Sequence, residues 1–190
     1  MTIRMPQAPA GGHGVVADAL ADIGAHPAMR STFAAGAPEA SDPIRVYVIE
    51  LADIVSGKLT RAAKPAGWYY LVGFGDQVSI AELGADQPGG LAFRSLTRGH
   101  VPPRLAQALR VAERIAGGEK SESEIRLIDI PPLYVSAVWL HGENDRFIPF
   151  LDESRGRDFQ VGFQSDFLSH VTALAERRIA AARTVGPDGS

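Results

Sequence analysis

Two apolar runs flank one polar turn between residues 125 and 151, and this pattern is the most informative one in the chain. Successive side chains of an extended chain point to opposite faces, so residues 133–140 divide into two sets. Leu133, Val135, Ala137 and Trp139 share one face, and Tyr134, Ser136, Val138 and Leu140 share the other. Both sets are mostly apolar, which is typical of a strand in a sheet covered on two sides. The pattern predicts a buried β-hairpin with Trp139 in the packed interior.

Further segments with alternating or β-branched residues predict the rest of the sheet. They comprise residues 44–51, 68–72, 78–83, 91–96 and 125–130. Gly73 and Gly75 lie in the loop between the second and third of these segments, which has the length of a hairpin connection. Three successive aromatic residues, 68–70, must place rings on both faces of their strand, and core packing explains them more economically than contact with a ligand.

Several segments have helical periodicity. The first starts at Val15, with Val16, Leu20 and Ile23 at spacings of four and three and Gly24 where a helix would end. Two longer segments follow. Residues 102–116 begin with two prolines, carry an apolar stripe at spacings of three and four, and are followed by two glycines. Residues 165–183 begin with Ser165, a residue suited to cap a helix, and carry Phe167 and Val171 on one side. Each segment therefore predicts an amphipathic helix that packs on the sheet.

The order of these elements predicts the fold class. Because the strands come in hairpin-like groups between isolated helices, we expect an α+β fold rather than regular β-α-β alternation. The prediction is one domain over residues 15–184, with a mainly antiparallel sheet of about five to seven strands packed against the helices near 102–116 and 165–183. Residues 1–14 are expected to form a flexible N-terminal arm, and residues 185–190 a C-terminal tail.

Composition excludes several classes of function. The chain has 190 residues and no cysteine, which removes disulfides, thiolate chemistry and cysteine-ligated metal sites. Its 19 basic and 22 acidic residues give a formal charge of −3, too small to steer binding to nucleic acid or to an anionic membrane. No apolar run approaches the roughly 20 residues that span a bilayer, and residues 1–14 lack the apolar region of a secretory signal. We expect a cytoplasmic protein with no membrane partner, no metal and no cofactor.

The polar turn at residues 141–145 is the first candidate site. It holds His141, Glu143 and Asp145, so an imidazole and two carboxylates come together at the end of a buried hairpin. In an enzyme acting on a small molecule, His141 would be the general base, and Glu143 or Asp145 would orient it or bind a cation. A plain hairpin loop explains the same composition, because Asn, Asp and Gly suit tight turns.

A locally basic segment, residues 94–114, gives the second candidate site. Its main members are Arg98, Arg104, Arg110 and Arg114. Arg110 and Arg114 are four residues apart on one helix face and would bind a phosphate or an acidic partner together. The alternative is the solvated face of an amphipathic helix.

Established catalytic and nucleotide-binding motifs are missing from the sequence. No GxSxG nucleophile elbow occurs. Residues 57–58 supply the Gly-Lys pair of a phosphate-binding loop, but Ala52 replaces its first glycine and Leu59 replaces the hydroxyl residue that binds magnesium. The five histidines are far apart in sequence, and His170 lies beside the apolar stripe of the last helix, which favours a structural role.

Three functional hypotheses remain from the sequence. The first is a non-catalytic protein-interaction or assembly domain, binding itself or another protein, because the core pattern is complete and catalytic motifs are absent. The alternatives are a small-molecule enzyme with its site at the 141–145 turn, and an anion-binding module that uses the arginines of residues 94–114. The substrate, the partner, the oligomeric state and the pathway have no signature in the sequence.

Overall fold

The computed structural model describes residues 3–26, 38–87, 90–118, 122–156 and 159–184. Within them the chain forms a mixed sheet with helices on both faces, so the predicted α+β class is confirmed. The strands are β1 (Ile3–Arg4), β2 (Glu39–Ala40), β3 (Ile44–Val48), β4 (Lys64–Phe74), β5 (Gln77–Gln87), β6 (Gly90–Thr97), β7 (Ser123–Ile130), β8 (Val135–His141) and β9 (Arg146–Asp152). The helices are α1 (Gly12–Ala25), α2 (Leu51–Val55), α3 (Leu59–Ala62), α4 (Val101–Gly118) and α5 (Phe167–Thr184).

Seven strands form the main path of the sheet, in the order β6-β5-β4-β3-β7-β8-β9, and the two-residue strands β1 and β2 pair with β7 and β4. The pairs along this path are antiparallel except for β3 with β7, and β1 also runs parallel to β7. The sheet is therefore mainly antiparallel, as the grouping of the strands predicts. None of the described helices combines the length and the apolar character that crossing a membrane demands.

Helix α4 covers one face of the sheet. Leu105, Ala108 and Ala112 of α4 are fully buried and pack against Ile44, Leu127, Val138 and other apolar residues of β3, β7, β8 and β9. Helix α5 covers the opposite face over β7–β9, and α1 covers that same face over β4–β6. We call these the α4 face and the α5 face.

The predicted hairpin around Trp139 is confirmed. Strands β8 and β9 pair in antiparallel register, and the side chain of Trp139 is 1% exposed on the α5 face. Its ring stacks on Phe147, which stacks in turn on Phe167 of α5. Burial of these rings fixes α5 against the hairpin, because aromatic residues contribute the largest apolar areas to a core.

Strands β4 and β5 are longer than the predicted segments 68–72 and 78–83, and at two other boundaries the type of element is wrong. The segment predicted as a strand over residues 44–51 ends at Val48, and helix α2 begins at Leu51. Its apolar run is too short to distinguish a strand from a helix by periodicity, and Ile54 is buried in the core of the α5 face. Strand β8 starts at Val135, because Pro131–Leu133 form a 3₁₀ turn and Tyr134 has φ 53°.

The structure places parts of the predicted N-terminal arm. Of residues 1–14, it assigns Ile3–Arg4 to β1, and α1 already begins at Gly12. Residues 1–2 and the predicted tail at 185–190 lie outside the described residues.

Candidate functional site

A group of polar side chains lies on the α4 face among apolar neighbours. In the strand register Tyr69 of β4 pairs with Glu82 of β5, which pairs with Ser95 of β6. Asp129 of β7 pairs with Ser136 of β8. Tyr69 is the cross-strand partner of Ile44, and Asp129 is two residues from Leu127, so the alternation of side chains puts them all on the α4 face. We call this group the Tyr69–Asp129 cluster; its members are Tyr69, Glu82, Arg94, Ser95, Asp129 and Ser136.

Glu82 is held by two neighbours on β6. Ser95 Oγ donates a hydrogen bond to Glu82 Oε2 at 3.2 Å, and Arg94 Nη1 lies 3.5 Å from Glu82 Oε1. The register of β5 against β6 shifts after Glu82, and the guanidinium of Arg94 lies over Gly84, where a Cβ atom would overlap it. Glycine at position 84 therefore leaves room for the cation that neutralises Glu82.

Asp129 has no such cation among the described residues. Ser136 Oγ donates a hydrogen bond to Asp129 Oδ1 at 2.7 Å. Burial raises the pKa of Asp129, the Ser136 hydrogen bond opposes this, and the negative charge of Glu82 raises it further. The half-buried carboxylate is thus the least satisfied charge of the cluster.

The pKa of the Tyr69 phenol responds to both acidic groups of the cluster. Burial raises the pKa of Tyr69 well above its ordinary value, and the charges of Asp129 and Glu82 raise it further. The hydroxyl therefore keeps its proton and remains a donor. We find no hydrogen-bond partner for it within the part of the chain that the structure describes. Titratable groups with pKa values shifted by burial and by one another are characteristic of functional sites.

The 141–145 turn has a different arrangement from the predicted site. Asp145 Oδ1 accepts hydrogen bonds from Trp139 Nε1 at 2.8 Å and from His141 Nδ1 at 2.8 Å. Glu143 is exposed. Asp145 and His141 are thus brought together, but Glu143 is not part of the group, and Asp145 also fastens the buried indole of Trp139.

An arginine lies close to this turn on the α5 face. Arg126 of β7 lies over the rings of Tyr47 and Trp139, with its guanidinium carbon 5.0 and 5.1 Å from their centroids. Its Nε atom is 2.7 Å from Glu124 Oε1, and this contact is the main reason why the pKa of Glu124 is lowered. The group is a closed set of paired charges and stacked rings, which explains its geometry without a ligand.

The four arginines of the second predicted site are not brought together. Arg98 donates to Gln77 Oε1 at 3.3 Å beside the β4–β5 turn, and Arg104 lies over the ring of Phe159. Arg110 lines a separate groove with Asp42 and Glu113, and Arg114 Nε donates to the backbone oxygen of Arg110. Three different surfaces therefore carry these side chains.

A serine, a histidine and an aspartate meet at the end of β9 in a way that the sequence does not indicate. His170 Nε2 lies 2.8 Å from Asp152 Oδ2, and Ser154 Oγ donates to Asp152 Oδ1 at 2.6 Å. Ser154 Oγ is also 3.3 Å from the same Nε2 atom. In a catalytic triad the serine and the carboxylate use opposite nitrogens of the imidazole, so this group is not a triad.

Asp152 instead ties the end of β9 to α5. Its side chain is fully buried and also lies 3.1 Å from Arg155 Nε. Several hydrogen bonds from neighbouring residues satisfy the carboxylate, which is the condition for burying a charge. No group of three or more histidine, aspartate or glutamate side chains that could hold a metal ion occurs in the described ranges.

Sequence reasoning did not find the Tyr69–Asp129 cluster. The available signal was a carboxylate at a covered position in two otherwise apolar strands, Glu82 after Ile80 and Asp129 after Leu127. Arg94 belongs to the basic segment 94–114 of the second candidate site, but its partner Glu82 lies outside that segment. Comparisons of the chain with protein-family models, with curated proteins and with solved structures found no match.

Proposed function

We propose that this protein binds a small organic cation at the Tyr69–Asp129 cluster. The observation that supports the proposal is the half-buried carboxylate of Asp129, which feels the negative charge of Glu82 and has no cationic partner among the described residues. Burying a charge is unfavourable unless it is paired. A protonated amine supplies the missing positive charge.

A primary ammonium group fits the donors and acceptors of the cluster. The Asp129 carboxylate accepts from Ser136 and from the backbone amide of Ile130, and its two oxygens have about four acceptor positions in all, so acceptor capacity remains for the ligand. A compact ammonium ion carries donors for a carboxylate and for the oxygen of Tyr69. A divalent metal ion is a poorer match, because Glu82 is engaged by Arg94 and Ser95, whereas Ca²⁺ takes about six to eight oxygen ligands.

The test is calorimetric titration with n-butylammonium, with tetramethylammonium as a cation without N–H donors and with Mg²⁺. We expect n-butylammonium to bind most tightly. Asp129→Asn should weaken its binding about 10-fold or more, because a hydrogen bond to a charged group contributes roughly 1.5–3 kcal/mol. The matched control is Asp76→Asn, which removes the same charge from the exposed β4–β5 turn.

The pH dependence of binding gives a second check. The ligand binds the ionised form of Asp129, so affinity should rise with pH through the raised pKa of this group and then level off. Equal affinity of Asp129→Asn and the wild type for n-butylammonium, or tighter binding of Mg²⁺, would overturn the proposal.

A second function is favoured by the edge of the sheet. Strand β6 pairs only with β5 among the described strands, has eight residues and contains no proline. The other edge strand, β9, carries Pro149, and Gln164 N donates to the backbone oxygen of Phe147 beside it. Proline and covering segments are the usual protection of an edge strand, and β6 has neither in the described residues. We therefore propose that β6 is where this domain joins another polypeptide by strand addition.

Self-association is the first form of this interaction to test. Light scattering over a range of concentrations should show an increase in mass, and Thr97→Lys, which places a lysine on the exposed end of β6, should reduce it. Ala182→Lys on the exposed side of α5 is the control. A mass that stays at one chain at all concentrations would exclude self-association through β6.

A further inference from the structure

The N-terminus of α1 lacks acceptors for its backbone donors. Gly11, the residue before the helix, has φ 75° and no side chain to cap it, and the first turn holds no acidic residue. Gly12 N donates to Pro9 O at 3.1 Å, and Val15 N donates to Gly11 O at 3.1 Å. The amides of His13 and Gly14, between these two, have no acceptor within the described part of the chain. The start of a helix also carries partial positive charge.

A buried hydroxyl lies against this helix end. Tyr70 of β4 is 0% exposed, and its hydroxyl has no hydrogen-bond partner among the residues that the structure describes. It lies directly beneath Gly12, where a Cβ atom would overlap it, and Pro9 adjoins the same place. The ring of His13 meets the ring of Tyr70 edge-on, with 5.1 Å between centroids. Burial raises the pKa of Tyr70, so the hydroxyl stays protonated and needs an acceptor.

Every unsatisfied group here is a donor. The hydroxyl of Tyr70 and the amides of His13 and Gly14 require acceptors, and the helix end attracts negative charge. A ligand with an anionic oxygen satisfies all of these requirements at once. Among the described residues, neither α1 nor the lining of the groove includes a lysine or arginine, which favours a single negative charge, as in a carboxylate, over a dianion.

The helix end opens onto an apolar groove. From His13 the groove runs along Val16, Leu20 and Ala21 of α1, and Pro38 and Ala40 lie on its other side. Its volume is about 530 Å³. A groove of this size and character accommodates the apolar body of a small molecule.

We infer that α1 binds a monocarboxylic acid with an apolar chain, its carboxylate at the helix N-terminus and its chain in the groove. The headgroup reaches the Tyr70 hydroxyl when the turn at residues 9–12 moves aside. This movement breaks the hydrogen bonds from Gly12 N to Pro9 O and from Val15 N to Gly11 O, and neither Gly11 nor Gly12 has a side chain that must be displaced with the turn. This site is separate from the Tyr69–Asp129 cluster, which lies on the opposite face of the sheet.

The experiment is titration of the protein with three probes. Octanoate has both the anionic head and the apolar chain, 1-octanol has the chain alone, and acetate has the head alone. We expect octanoate to bind at least about 10-fold more tightly than either of the others, because each control lacks one part of the recognised group. Octanoate that binds no better than 1-octanol would show that the helix end recognises no anion and would overturn the inference.

Two variants separate recognition from a structural effect. Tyr70→Phe removes the hydroxyl and keeps the ring; it should weaken octanoate about 10-fold while the Tm of the free protein stays equal or rises, since the hydroxyl is unsatisfied there. Ala21→Asp places a like charge on the exposed wall of the groove and should also weaken octanoate. Tyr134→Phe and Ala182→Asp, at exposed positions elsewhere, are the matched controls. Unchanged octanoate affinity in Tyr70→Phe would contradict the assignment of the headgroup.

Discussion

The hairpin around Trp139 and the Tyr69–Asp129 cluster belong to one sheet but are built on opposite principles. Around Trp139, stacked rings fill the α5 face, and the one polar atom of the indole is satisfied by Asp145. On the α4 face, Tyr69 and Asp129 are partly buried. Within the described residues the Tyr69 hydroxyl has no hydrogen-bond partner, and the Asp129 carboxylate, which accepts from Ser136, has no cation beside it. The first region stabilises the fold, and the second is the site of the proposed ligand binding. The two regions occupy different faces of the same sheet.

The largest effect should come from the stabilising region. Trp139→Ala removes a side chain that is 1% exposed and leaves Asp145 without its indole donor. The free energy of unfolding should fall by about 3–5 kcal/mol, as for other large-to-small changes in a core. Urea unfolding measures it. A fall below about 1 kcal/mol would contradict the view that this region carries the stability of the fold.

A smaller loss is expected where β9 meets α5. Asp152→Asn keeps the shape of the side chain but removes the charge that accepts from Ser154 and lies next to His170 and Arg155. The loss should be about 2 kcal/mol, within the range for hydrogen bonds to a buried charged group. Asp166→Asn, at an exposed position with only a 3.8 Å contact to Arg155, is the control and should change little. An equal loss of unfolding free energy in both variants would contradict the view that Asp152 holds the end of β9 to α5.

For the Tyr69–Asp129 cluster we expect an effect on the pH dependence of the unfolding free energy rather than a large loss of stability. The pKa of Asp129 is raised in the folded protein, so the folded state binds more protons than the unfolded chain between the two pKa values. The contribution of Asp129 to stability is therefore greatest below about pH 4 and declines as pH rises through the folded-state pKa.

Asp129→Asn should remove this decline. Between the unfolded-state and the folded-state pKa of Asp129, the unfolding free energy of the wild type should fall relative to that of the variant. Below this interval the difference between the two proteins should be constant. Urea unfolding at a series of pH values measures the difference, and Asp76→Asn should follow the wild type. Parallel pH profiles for the wild type and Asp129→Asn would mean that folding does not raise the pKa of the Asp129 carboxyl group.

The smallest effect is expected at Tyr134, which lies just before β8. Its φ of 53° is unfavourable for a bulky residue, and its side chain is 57% exposed. Tyr134→Gly should raise the free energy of unfolding by about 0.5 kcal/mol, because relief of the left-handed strain exceeds the entropy that glycine loses on folding. A clear loss of stability would show that the ring makes contacts that matter more than its backbone strain.

Much of the fold could be predicted from local pattern. Alternation in β3–β9 and the apolar stripes of α4 and α5 come from short-range sequence, and the predicted class and the two long helices agree with the structure. Strand and helix are harder to separate in short apolar segments, which is why the predicted strand extends to Leu51, the first residue of α2. The parallel pairing of β3 with β7 joins segments about 80 residues apart, and no local pattern encodes that contact.

The candidate sites could be predicted much less well. Sequence reasoning selected polar residues that are close in the chain, such as His141 with Asp145, and the structure uses that pair to hold Trp139. It grouped arginines by spacing, although Arg98, Arg104 and Arg110 lie at three different surfaces. The Tyr69–Asp129 cluster and the Tyr70 hydroxyl under α1 come from strands and a helix that meet only in the folded chain.

By itself the sequence determined that this is a mainly antiparallel α+β domain with a buried hairpin at Trp139. Hydrophobic periodicity is sufficient for this, because it indicates which face of each helix or strand is buried away from water. Only the tertiary structure decided which polar groups are left without partners. Whether a hydroxyl or a carboxylate is satisfied depends on what other strands and helices bring within hydrogen-bonding distance, and pairing of the sheet alone sets those neighbours.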